Sequence, residues 1–260
     1  MKPIRLNSWR ACRQSFSALR RQPLLLLGFS LAALGAHLLS WAMFAAAEQV
    51  DSGVLAALLH LLGIGLYAGS LLWMIEGFTR AGLAQNQQQR LAWRDLSPDA
   101  CWHSWRLCLY LGYLLAALTA TALITALLWS LLLLLLPSLS AVPPLLGLLA
   151  AGGILLSQIF GPCLVLETAL GPTALFRQGM WLLEHHWPGL MQLSGYLLGL
   201  LLIPVILGLL AEALSAGLGS AATALALVAV LPLFAITITG AYSQLQPEVG
   251  SARAFTRSAR

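Results

Sequence analysis

Two histidines, His37 and His60, stand on either side of a short polar turn at 48–53, eleven residues before it and seven after it, each inside a long apolar run. An ionisable side chain at membrane depth is a functional candidate. A facing His pair could relay protons or bind a metal. No third ligand lies at that depth, and a structural zinc takes four. Hydrogen bonding of a neutral His across a helix pair is therefore the competing reading. Glu76 and Glu167 each close an apolar run, and Arg80 follows Glu76 at the i,i+4 spacing of a helical ion pair. Two carboxylates at headgroup level could share a headgroup or substrate, or simply hold partner Arg side chains. Gln158 is a further polar residue within an apolar run. Pro204 and Pro232 each leave a carbonyl free at mid-depth, as in the broken helices of transporters. His185 and His186 are adjacent, so on a helix they point in different directions and make a poor joint metal site. Contact with a headgroup, with some pH sensitivity, suits them better.

Familiar catalytic patterns are absent. The chain has no H-E-x-x-H, no G-x-x-x-x-G-K-[ST], no G-x-S-x-G and no C-x-x-C. No two carboxylates share a span core. Cys12, Cys101, Cys108 and Cys163 lack metal or redox spacing and read as reduced, ordinary thiols. The reading is a non-enzyme with no catalytic residues, no cofactor and no metal.

The elements that must carry these residues are set by composition. The 260 residues are 59% hydrophobic and 9% charged, where a soluble domain carries about 25% charged residues. From 107 to 166 there is no Asp, Glu, Lys or Arg. Apolar runs of 18 or more residues mark membrane spans. Six are expected, at 23–47, 54–78, 107–136, 144–166, 189–214 and 221–242. With six spans all 14 Lys and Arg fall on one side, while the opposite loops carry only Glu48, Asp51 and Glu212. The positive-inside rule then puts both termini in the cytoplasm. The formal net charge of +5 becomes a property of that face, suited to anionic lipid headgroups and not to nucleic acid. The apolar run at the N-terminus is too long for a signal peptide and follows a basic amphipathic helix.

That helix repays attention. Leu6, Trp9, Cys12, Phe16 and Leu19 recur at intervals of three and four, marking one apolar face. Arg10, Gln14, Ser17 and Arg21 fall opposite, with Arg13 and Arg20 at the border, as suits a helix lying in the membrane interface. Phe16 stands seven residues before Pro23, and Trp181 seven before Pro188; Arg20-Arg21 align with His185-His186. The two copies lie 165 residues apart, and half that offset falls near Trp105-Arg106, after Trp102. Three units follow, approximately 5–84, 85–170 and 171–245, each an interfacial helix and a transmembrane hairpin. The competing explanation is that any helix entering a bilayer favours Trp and Arg at the headgroups. The linker 84–95 reads as Gln-rich and exposed. Ser97-Pro98-Asp99 reads as a helix start, and 246–260 as a flexible cytoplasmic tail.

The segment 163–188, CLVLETALGPTALFRQGMWLLEHHWP, carries Glu167, Gly171, Pro172, Ala174, Leu175, Arg177 and Trp187 in a recurring arrangement, and RRQPLLLLG near the N-terminus matches it. This resembles the bacterial multi-pass families related to the membrane domain of glycerophosphoryl diester phosphodiesterases. Gly179 stands where those families favour a small hydroxyl residue, and Glu184-His185-His186 replaces a more basic stretch. The phosphodiesterase catalytic domain is absent. The resemblance implies a bacterial inner-membrane protein with no established reaction.

The sequence thus describes an all-α integral membrane protein forming a single domain, 1–260, of six transmembrane helices arranged as three hairpins, each preceded by an amphipathic interfacial helix. Trp9, Arg13, Arg20, Arg21, Trp102, Trp105, Arg106, Arg177, His185, His186 and Trp187 form the expected lipid or partner collar. Two functions compete. One is a scaffold, assembly factor or accessory subunit working through lipid and partner-helix contacts. The other is a permease for a lipidic or small amphiphilic substrate.

Overall fold

A proline cannot donate to the preceding turn, and it pushes the residue before it out of the α region. At Pro23 this separates two helices: α1 (Ser8–Arg21) ends, Gln22 adopts φ −138° and ψ 59°, and α2 (Pro23–Glu48) begins with the proline in its first turn. The computed structural model describes the backbone of residues 6–96 and 104–258 and the side chains of residues 6–96 and 105–246. The remaining helices are α3 (Gly53–Asn86), α4 (Ser104–Leu135), α5 (Val142–Ser157), α6 (Gly161–Glu167), α7 (Pro172–Leu214) and α8 (Leu218–Ser258), with 3-10 turns at Trp93–Leu96 and Pro137–Leu139. Six segments are long and apolar enough to cross a membrane: Pro23–Glu48, Gly53–Asn86, Trp105–Leu135, Pro137–Glu167, Pro172–Leu214 and Leu218–Gln246. By helix length and hydropathy the chain is a multi-pass membrane protein. Number and order agree with the sequence reading. The second span runs on to Asn86, giving a helix about 51 Å long at 1.5 Å per residue.

Two compact units arise from packing, and they do not follow chain order. One comprises Met1–Ser104 with Gln192–Arg260, the other Trp105–Met191. In the first, α2 and α3 form a hairpin and α8 packs along both, with α1 laid on α8. Leu26, Phe29, Phe78, Ala81, Leu96 and Ile236 are buried together there. Phe29 is their hinge-pin, edge-on to Phe78 at 4.9 Å and to Trp73 at 5.2 Å, a geometry that favours ring quadrupoles. α7 and α8 close the last hairpin through Glu212, whose carboxylate accepts from the backbone N–H groups of Gly217 and Gly219.

α1 rests on α8 by a stripe that the apolar pattern did not mark. Its buried stripe is Ser8, Ala11, Ser15 and Ala18, the small residues, spaced three and four apart. Trp9 and Phe16 face outward, Trp9 being 64% exposed. Between lipid and protein there is little hydrophobic difference, so a helix seats itself where small side chains let backbones approach. The linker 84–95 is exposed at Gln87 to Arg90 and at Trp93, as read, but Gln85 is buried and Trp93 lies against α2 at Gly28. Just beyond it Leu96 is buried, and the Trp73 indole donates to its carbonyl at 2.6 Å. The helix start read at Ser97 lies outside the described residues. α8 carries helical backbone on to Ser258, through the stretch read as a tail.

Candidate functional site

In the second unit, the fourth span is broken. α5 stops at Ser157, α6 starts at Gly161, and a turn at 158–160 joins them. Pro162 in the first turn of α6 has no N–H to continue the ladder from α5. Gln158 stands at the break and is 4% exposed. Its carbonyl oxygen accepts from the Tyr110 hydroxyl of α4 at 2.9 Å; its amide donates to Ser157 Oγ at 2.8 Å and to the Phe176 carbonyl of α7 at 3.2 Å. An unpaired amide at this depth would cost several kcal/mol, so these partners are what permit a Gln here. Two glycines make room. A Cβ at Gly161 would overlap the Tyr110 hydroxyl, and one at Gly179 would lie 2.5 Å from the Ser157 carbonyl. Gly179 is therefore a residue that admits Gln158.

Below the break, the Arg106 guanidinium donates to the carbonyls of Thr168 and Leu170. These lie at and just beyond the C-terminus of α6, where a cation also meets the negative end of the helix dipole. Arg106 thus positions structure; it is half-buried and committed. Glu167, the last residue of α6, is half-buried.

The histidine pair does not meet. His37 lies tilted against Tyr67 with ring centroids 4.5 Å apart, while His60 lies by Phe44 at 6.1 Å. The level of His60 on α2 is therefore seven residues from His37, about 10 Å along the axis. Both contacts centre the hairpin on residue 52, from which His37 is fifteen residues away and His60 only eight. His60 Nδ1 bonds its own helix at the Ala56 carbonyl, 2.9 Å away. Among the described residues no group of three His, Cys, Asp or Glu could hold a metal ion.

Glu76 is wholly buried in the first unit and accepts from Arg80 Nη2 at 2.6 Å. Glu167 belongs to the second. Pro204 and Pro232 are buried without interrupting their helices. The Pro204 carbonyl accepts from Thr223 Oγ1 at 3.4 Å, and α7's one non-helical residue is His186, at φ −126° and ψ 20°. The break expected at Pro204 thus falls two residues before Pro188, where the ring restricts the chain entering it. His186 is buried there; His185 is exposed, stacked on Trp181 at 4.4 Å.

The rest of the collar is open. Arg13, Arg20, Arg21, Trp105, Arg177 and Trp187 are exposed, and Trp9 lies 6.2 Å from Tyr196. Trp102 lies outside the described residues. In α1 the Cys12 thiol is pushed up from its ordinary pKa by burial. Sequence reasoning missed Tyr110, Gly161 and Arg106's true partners, although Gly161-Pro162 inside an apolar run is a break signal in its own right. Compared with family models, curated proteins and solved structures, the chain matches none.

Proposed function

We propose that the chain is a non-enzymatic membrane scaffold or accessory subunit that holds lipid or partner helices through its interfacial surface. The observation that carries this is the seating of α1. Its small-residue stripe is spent on α8, which leaves Trp9, Phe16, Arg10, Arg13, Arg20 and Arg21 on the outside. An aromatic and cationic exterior is what a helix at a headgroup layer presents. The non-helical residues Gln22 and His186, ahead of Pro23 and Pro188, support reading α1 and the first part of α7 as equivalent interfacial helices in a repeated unit. The cationic face is assigned to the cytoplasmic side of a bacterial inner membrane, with both termini there.

Purification of the tagged chain from its own membrane in mild detergent, with mass spectrometry of what accompanies it, tests this. A stoichiometric protein partner or enriched anionic lipid, reduced in Trp9→Ala/Phe16→Ala, is expected. Unchanged association in that variant would count against an interfacial role for α1. The permease reading draws on one observation, the interrupted fourth span at Gln158, since discontinuous helices line transport paths. Substrate-dependent flux in proteoliposomes, lost on Gln158→Leu, would favour it.

A further inference from the structure

A cavity of about 420 Å³ opens where α1 hands over to α2 and where α3 ends, lined by Arg21, Gln22, Gln85, Gln88, Gln89 and Arg90. We infer that this cavity binds a phosphate group carried by a lipid headgroup or a small phosphate ester. The inference deepens the proposed function and rests on it. Its volume falls in the range of small-ligand sites, about 300–1,000 Å³. Two guanidinium groups line it and no acidic residue does. Among the described residues neither Arg21 nor Arg90 forms an ion pair. Guanidinium forks match phosphate oxygens in pairs. Gln22 is also the N-cap of α2 and makes no side-chain cap bond, so the positive end of that helix lies in the cavity wall. The amides of the four Gln side chains add neutral donors for ester or glycerol oxygens.

The walls are built. Gln85 is buried and donates to Gln22 Oε1 at 2.6 Å, tying the end of α3 to the start of α2. α3 closes in a Schellman motif: Gln89 N–H donates to the Ala84 carbonyl at 2.9 Å and Gln88 N–H to that of Gln85 at 3.1 Å. Gln88 occupies the left-handed position, φ 57°, where glycine costs less. Its side chain lies in the cavity wall.

The test uses the full chain in nanodiscs of phosphatidylcholine doped with phosphatidylglycerol, read by native mass spectrometry for retained lipid. The same chain in neutral nanodiscs is titrated with glycerol 3-phosphate and inorganic phosphate. Arg21→Gln/Arg90→Gln is compared with Arg10→Gln/Arg13→Gln, which removes the same charge outside the cavity; near-equal melting temperatures confirm folding. Saturable retention of phosphatidylglycerol, weakened roughly tenfold for each cavity Arg removed and little changed in the control, is expected and names lipid as the source. Saturable binding of the soluble phosphates with the same dependence also supports the site and names an aqueous source. Equal weakening in both variants overturns the cavity and leaves the interfacial reading standing. No anionic preference in any variant overturns both.

Discussion

Tyr110→Phe removes one oxygen, and its effect can be worked from the network at the α5–α6 break. The hydroxyl donates to Gln158 Oε1 at 2.9 Å, with Tyr110 1% and Gln158 4% exposed. In soluble proteins an orphaned buried acceptor costs about 1–3 kcal/mol. Hydrogen bonds between membrane helices average about 0.6 kcal/mol with a maximum near 1.7, because a chain unfolded within the bilayer finds other partners. Here the folded state offers the orphaned oxygen no replacement, because Gly161 and Gly179 bring backbone against Tyr110 and Gln158. The upper end is expected, about 1.5 kcal/mol of coupling between the two residues. The assay is reversible SDS unfolding of the wild type, Tyr110→Phe, Gln158→Leu and the double variant. The cycle cancels what Gln158→Leu loses toward Ser157 and Phe176. A coupling near zero would refute the reasoning and mean that water or another donor already serves Gln158.

Four further outcomes follow from particular contacts. Ala11→Leu puts a large side chain into the buried stripe of α1 and should destabilise by about 1–3 kcal/mol; protease clipping at the α1–α2 junction should rise with it. Arg106→Met strips the α6 C-terminus of its donor to two carbonyls and should cost about 1–2 kcal/mol in the same SDS assay. Gln88→Gly relieves the left-handed backbone and should raise stability by about 1 kcal/mol, while reducing phosphate retention; a loss of stability would contradict the turn geometry. Cys12, alone in a variant whose other cysteines are alanine, should alkylate with a pH midpoint above that of a free thiol, because the thiolate is the nucleophile and burial disfavours it. Unfolding in SDS should return the midpoint to the ordinary range.

The number of spans was legible because hydropathy over some twenty residues is a strong signal, and residues 107–166 hold no charge at all. Which face of each helix meets protein was not legible, and α1 shows why. Its large apolar residues and its small ones both recur at helical spacing. In water the large ones would be buried; at a bilayer they can stay outside, and Ser8, Ala11, Ser15 and Ala18 decide the contact.

The polar residues divide along a related line. His37 and His60 drew notice because ionisable groups are costly at depth, yet each found an aromatic ring on the opposite helix. Gln158, with no charge, organises more structure than either: it needs a donor from α4, an acceptor on α7 and two glycines, all far apart in sequence. Such demands cannot be read from spacing, because spacing constrains neighbours on one helix only. Arg21 and Arg90 make the same point for the surface. Sixty-nine residues apart in the chain, they line one cavity because the hairpin of α2 and α3 returns the end of α3 to the start of α2, where Gln85 meets Gln22. A count of cationic residues finds the face; the hairpin's closure makes a site on it.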